Sequence, residues 1–155
     1  MSIKIRLLLF GIVLIWTLGI FIEFIIPLNS KFILIIPWLH QLYSLVCHQE
    51  PQKLITIAHK HTLTCARCSG IYVGGLISSF ILIFVNIKNP LKLKYLIFAV
   101  IPMLFDVFLY SAGLYSYSKI IAFITGLLLG STGFLYIHEG ILNFINESKL
   151  KGKII

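Results

Sequence analysis

Thiols and imidazoles bind soft metal ions and take part in redox exchange, and this chain concentrates them in one stretch. All three cysteines and three of the five histidines fall within CHQEPQKLITIAHKHTLTCARC, residues 47–68. Cys65 and Cys68 form a C-x-x-C pair, and Cys47 stands beside His48. A C-x-x-C pair joined by a distant cysteine and one imidazole makes a closed tetrahedral Cys3His set, which suits zinc or another thiophilic ion. His48 is the first choice for the imidazole, with His59 and His61 of the HKH tripeptide as substitutes. His40 is disfavoured, because seven residues of helix from Cys47 is about 10 Å along the axis, too far for two ligands of one ion. Cys68 precedes Ser69 and Gly70 at the start of an apolar segment. At such a helix N-terminus the macrodipole and the adjacent Arg67 favour a thiolate, the form that binds metal and attacks disulfides.

The elements that must position this loop are apolar. With 59% hydrophobic and 12% charged residues and a mean hydropathy of +0.99, the chain has too few polar side chains to cover a water-soluble surface. A bilayer core asks for roughly 20 apolar residues per helix. Four segments qualify, at about 7–27, 69–87, 95–113 and 119–137, within one integral membrane domain over 1–155. A fifth apolar stretch, 32–47, reaches only about 24 Å and contains Pro37, so it reads as a short interfacial or re-entrant helix, with Trp38 and Tyr43 at headgroup level. The expected fold is therefore all-α: an integral membrane four-helix bundle with an additional short helix in its first external loop.

Charge gives the orientation. The net charge of +8 comes from Lys and Arg scattered between apolar runs, the pattern of flanking charges rather than of a nucleic-acid-binding face. With both termini cytoplasmic, Lys4, Arg6, Lys88, Lys92, Lys94, Lys149, Lys151 and Lys153 lie inside. Lys31, Lys53, Lys60, Arg67 and Lys119 lie outside, most of them spread along one long loop where they count weakly. The expected setting is thus a multi-pass protein of the cell membrane, partnered by the lipid bilayer, with the Cys/His loop extracytoplasmic. The opening MSIKIRLLLFGIVLIW resembles a secretory signal, but no small-x-small site follows it, so an uncleaved anchor is expected.

CHQEP at 47–51 followed by CARCSGIYVG at 65–74 resembles an uncharacterised polytopic membrane-protein family of bacteria and archaea, catalogued as a domain of unknown function. Its pattern is C-H-Q-x-P, then C-x-R-C-x-G-x-Y-x-G, then an aspartate in a later helix and a Thr-Gly near the start of the last. Asp106 and the pair Thr125 and Gly126 fit those later positions. Lys53 and Leu54 stand where Arg-Ser usually follows the proline, and Ala122 stands where an arginine often precedes Thr-Gly. The resemblance implies an ordered Cys/His membrane site and adds no reaction.

Outside the loop, Asp106 is the candidate catalytic or ion-coordinating residue. A carboxylate within an apolar span must face the bundle or a wet cavity and find a partner or a proton; Tyr110, one turn on, is a candidate donor. Glu23 is placed to pair with Lys31 or Arg67, and His138 and Glu139 sit near the inner end of the last span. Gly70 and Gly74, and Gly126 and Gly130, form small faces through which these helices touch each other or a second copy of the chain. No phosphate-binding loop, serine-hydrolase elbow or H-E-x-x-H motif is present, and no nucleotide cofactor is expected. The sequence thus points to a small membrane protein with an external zinc-type site above a polar region containing Asp106. The alternatives are a thiol/disulfide oxidoreductase using Cys65 and Cys68, and a proton- or ion-coupled transport module.

Overall fold

The computed structural model describes residues 3–25, 35–85 and 92–151, and the side chains within 36–85 and 92–144 in the latter two ranges. The expected span ends at 26–27 and 86–87, and Lys31, Lys88 and Lys153, lie outside the described residues. Four helices are long and apolar enough to cross a membrane: α1 (Ile3–Ile20), α4 (Ala66–Phe84), α5 (Lys94–Ser111) and α6 (Lys119–Lys151). Between α1 and α4 come α2 (Ile22–Ile25), α3 (Ile35–Ser44), a 3-10 turn at Pro51–Lys53, and the strands β1 (Leu54–Ile57) and β2 (Lys60–Cys65).

The helices are packed as a bilayer requires, small and polar within and large and apolar without. Ser69, Gly70, Gly74, Gly75, Ser78 and Ser79 are buried along α4, while Leu8, Ile15, Phe84, Phe98 and Phe108 are exposed. In lipid such outward side chains cost nothing, and association depends on close backbone approach and interhelical hydrogen bonds. The two glycine rows meet each other. A Cβ at Gly70 or Gly74 would strike the backbone of Phe123 or Leu127, and one at Gly126 or Gly130 would strike that of Arg67 or Ile71. Ser78 Oγ donates to the Ser131 carbonyl (2.9 Å) and Ser131 Oγ to that of Gly74 (3.3 Å), extending the seam. At the same end as Ser78, Arg6 is buried rather than flanking, its Nη1 donating to the Leu82 carbonyl at 2.8 Å.

The segment expected to be a short helix is one. α3 has ten residues, about 15 Å of rise, too short to cross. Pro37 falls in its first turn, where a missing N–H removes no helical bond. Trp38 and Leu45 are exposed, while Tyr43 turns inward and its hydroxyl donates to the Trp16 carbonyl (2.6 Å). Burial pushes the Tyr43 phenol up to about 12.

The β-hairpin was not anticipated in an all-helical reading. β1 and β2 pair antiparallel with Thr56 opposite His61 and Ile57 opposite Lys60. The two-residue turn is Ala58–His59, both at positive φ (49° and 61°). Hairpin turns of this twist ordinarily announce themselves with Asn-Gly or Asp-Gly, and Ala-His does not. Leu63, wholly buried with Ile20 and Tyr43, seats the hairpin on the ends of α1 and α3.

Candidate metal centre

Two junctions place the three cysteines, the end of α3 for Cys47 and the β2–α4 corner for Cys65 and Cys68. Cys47 closes α3, its N–H donating to the Tyr43 carbonyl at 3.0 Å. The chain then reverses at Gln49, which takes a positive φ of 48°. The Gln49 side-chain amide donates to the carbonyls of His40 (2.9 Å) and Leu63 (2.8 Å), clamping α3 to β2. Cys65 is the last residue of β2 and the N-cap of α4, opposite Leu54 in the ladder. Cys68 follows within the first turn of α4. Thr62 Oγ1 accepts from the Ile55 N–H (3.1 Å), and Thr64 Oγ1 meets Ser69 Oγ (3.0 Å), so β2 and the start of α4 are held in register by buried hydroxyls.

The result brings the three sulfurs together, all within 4.8 Å of one another. Cys47 is buried, Cys65 and Cys68 are half-buried, and all three are free thiols. The Cys65 N–H donates to Cys47 Sγ at 3.2 Å. Hydrogen bonds from the Cys65 thiol first, then from Cys68, hold the Cys47 thiol far below its usual range, while the same contact pushes Cys65 up. Around a tetrahedral ion with M–S bonds near 2.3 Å, sulfurs lie about 3.8 Å apart. Each sulfur need move inward by only about half an ångström.

No histidine joins this group among the described residues. His48 follows Cys47 but is exposed. His59 forms the hairpin turn, and exposed His61 has Nδ1 3.1 Å from Thr56 Oγ1. The strand separates them from the cluster, since the four residues from His61 to Cys65 span about 13 Å. His40 is exposed, and its carbonyl accepts from the Gln49 side chain.

Next to the cluster lies a second group built on Asp106. Arg67, between the two cysteines of C-A-R-C, donates Nη2 to Asp106 Oδ2 at 2.5 Å. The side chain of Asp106 is only 3% exposed. The hydroxyl of Tyr115, not of Tyr110, donates to Asp106 Oδ1. α5 ends in a Schellman turn at Gly113 (φ +70°), with the Leu114 N–H on the Leu109 carbonyl (3.0 Å), and this returns Tyr115 and Tyr117 toward the site. Asp106 and Tyr115 also line a cleft of about 310 Å³ between α5 and α6. Lys53 pairs with Glu50 (2.5 Å) and sits over the rings of Tyr110 and Tyr117, at 4.8 and 5.8 Å.

Burial first, and then the charge of Cys65, push the Tyr117 phenol up to about 12, with Arg67, Asp106 and Cys68 also acting on it. Its hydroxyl therefore lies in the electrostatic reach of both groups. The Glu23 carboxylate accepts the His61 backbone N–H (2.8 Å); among the described residues it forms no salt bridge with Arg67, which pairs with Asp106, and the other expected partner, Lys31, lies outside them. Sequence reasoning missed Gln49, Tyr115 and Tyr117. The glutamine of C-H-Q was a usable signal, whereas the two tyrosines lie outside any spacing rule because a turn delivers them. His138, expected near the interface, is buried.

Fold and site together define a small helical membrane protein carrying a three-cysteine cluster and a buried arginine–aspartate pair at one end of its bundle. The chain belongs to the family described as predicted membrane protein (DUF2085), whose model matches residues 47–136 and so includes both groups. It is 40% identical over 102 residues to a protein of Methanocaldococcus jannaschii named "Uncharacterized protein MJ1492". That match covers 64% of this chain and 65% of the relative. No solved structure matches.

Proposed function

We propose that the protein holds one thiophilic metal ion, zinc before others, in the Cys47–Cys65–Cys68 cluster, and that this site is the seat of its activity at the extracytoplasmic face of the membrane. The observation that carries the reading is the convergence of three sulfurs, from the end of α3 and the β2–α4 corner, within 4.8 Å. The ligating form is the thiolate, and the Cys47 thiol is already held below its usual range by its neighbours. Asp106 serves the same site from below by neutralising Arg67 on the turn that carries Cys68. The orientation follows from the distribution of Lys and Arg.

The same proximity favours one competitor, a reversible disulfide within the cluster. A relay of that kind needs a second cysteine pair, and the chain has three cysteines in all. Elemental analysis of protein purified without added metal decides between them. One ion per chain, lost in Cys47→Ser and Cys68→Ser, is the expected result. Metal-free protein whose thiol titration reveals a reducible Cys65–Cys68 bond gives the site to redox chemistry.

A further inference from the structure

Three thiolates complete three corners of a tetrahedral site, and no imidazole among the described residues reaches the fourth. Structural zinc sites are closed by four protein ligands, while sites with three protein ligands keep one position for an exchangeable molecule. Two polar atoms, one on Arg67 between Cys65 and Cys68 and one on the adjoining Tyr117, lack what such a molecule would provide. Arg67 uses Nη2 on Asp106, yet its Nε–H is buried with no hydrogen-bond partner. The hydroxyl of Tyr117 is buried with no partner either, and the Tyr117 ring lies 6.0 Å from the Arg67 guanidinium carbon. Buried polar groups are normally satisfied, so two orphans on neighbouring side chains mark a place where a small polar molecule belongs.

We propose that the fourth position of the three-cysteine site takes an exchangeable ligand from outside the chain, a water or a small anion, held by hydrogen bonds to the Tyr117 hydroxyl and the Arg67 Nε–H. This rests on the metal-site reading above and deepens it from a closed structural ion to an open, ligand-exchanging one. Charge bears on the choice of resting ligand. A divalent ion with three thiolates carries one net negative charge, and the adjoining Arg67–Asp106 and Lys53–Glu50 pairs are each neutral. Water is therefore the resting occupant. An anion replaces it by drawing on the Arg67 Nε–H and Tyr117, whose hydroxyl both donates and accepts and so serves either. Tyr117 and Arg67 act here as positioning residues toward the bound molecule.

Cobalt(II) loaded into the purified full chain in detergent reports the coordination directly through its d–d bands, and azide is the probe ligand. In the wild type azide shifts these bands saturably. Tyr117→Phe keeps one cobalt per chain and weakens azide binding on the order of tenfold, the equivalent of one hydrogen bond to a charged acceptor. His48→Ala leaves the cobalt spectrum unchanged. Cobalt bound with no response to azide, a response that Tyr117→Phe does not weaken, or a spectrum altered by His48→Ala each overturns the proposal while leaving the metal site standing. Failure to bind cobalt at all removes both.

Discussion

Replacing Asp106 by asparagine changes almost no volume but leaves the Arg67 guanidinium without its counter-charge. Asp106 accepts two hydrogen bonds, from Arg67 at 2.5 Å and from Tyr115, and only 3% of its side chain is exposed. Removing one member of a buried ion pair costs about 3–5 kcal/mol. Here the asparagine oxygen still accepts from one of the two donors, and the Arg67 side chain is 18% exposed, so the expected loss is about 2–3 kcal/mol. Equilibrium unfolding in mixed micelles, followed by helical circular dichroism, measures it for Asp106→Asn, Arg67→Met and the double variant. With both charges gone no ion is stranded, so the double variant should be no less stable than Asp106→Asn alone, a coupling of about 2 kcal/mol. Because Arg67 stands between Cys65 and Cys68, metal retention against a chelator should weaken in Asp106→Asn and recover partly in the pair. An Asp106→Asn loss under about 0.5 kcal/mol, or single-variant losses that simply add, would refute the ion pair as the organiser of this turn.

Gly130→Leu puts a side chain against the Ile71 backbone and should destabilise the α4–α6 seam by about 1–3 kcal/mol or more. Gly133→Ala, with nothing within 4 Å of its new methyl, should be neutral or slightly stabilising in the same unfolding assay. A cysteine at exposed Gln52 should be labelled in intact cells by a membrane-impermeant thiol reagent; labelling only after lysis would place the cluster on the cytoplasmic side. Tyr43 and Tyr117, both raised from 10.0 to about 12, should be late to ionise when phenolate absorbance is followed during alkaline titration. Since their folded-state values lie above the unfolded one, their contribution to stability is intact below pH 10 and is lost as pH rises toward 12. Folded protein in which all seven tyrosines titrate together near pH 10 would contradict the burial of these two.

Much of the architecture was legible because it depends on quantities a sequence carries locally. Apolar run length against bilayer thickness separates the four long helices from α3, and the glycine spacing on α4 and α6 marks the faces that meet. Concentration of every cysteine into 47–68 identified the cluster, since thiols are few and their spacing is read directly. The ligand set beyond the cysteines was not legible. His48, His59 and His61 are near in sequence, but a hairpin with an unmarked Ala58–His59 turn carries two of them to the far end of a strand, and His48 is left at the surface. Asp106 had to have a partner because an apolar span cannot hold a bare carboxylate. Which partner was decided by tertiary structure, where α4 turns Arg67 toward α5 and the Gly113 turn brings back Tyr115 rather than Tyr110. Length and composition act within one segment; partner choice depends on how separate segments are oriented by packing, and a linear pattern does not encode that orientation.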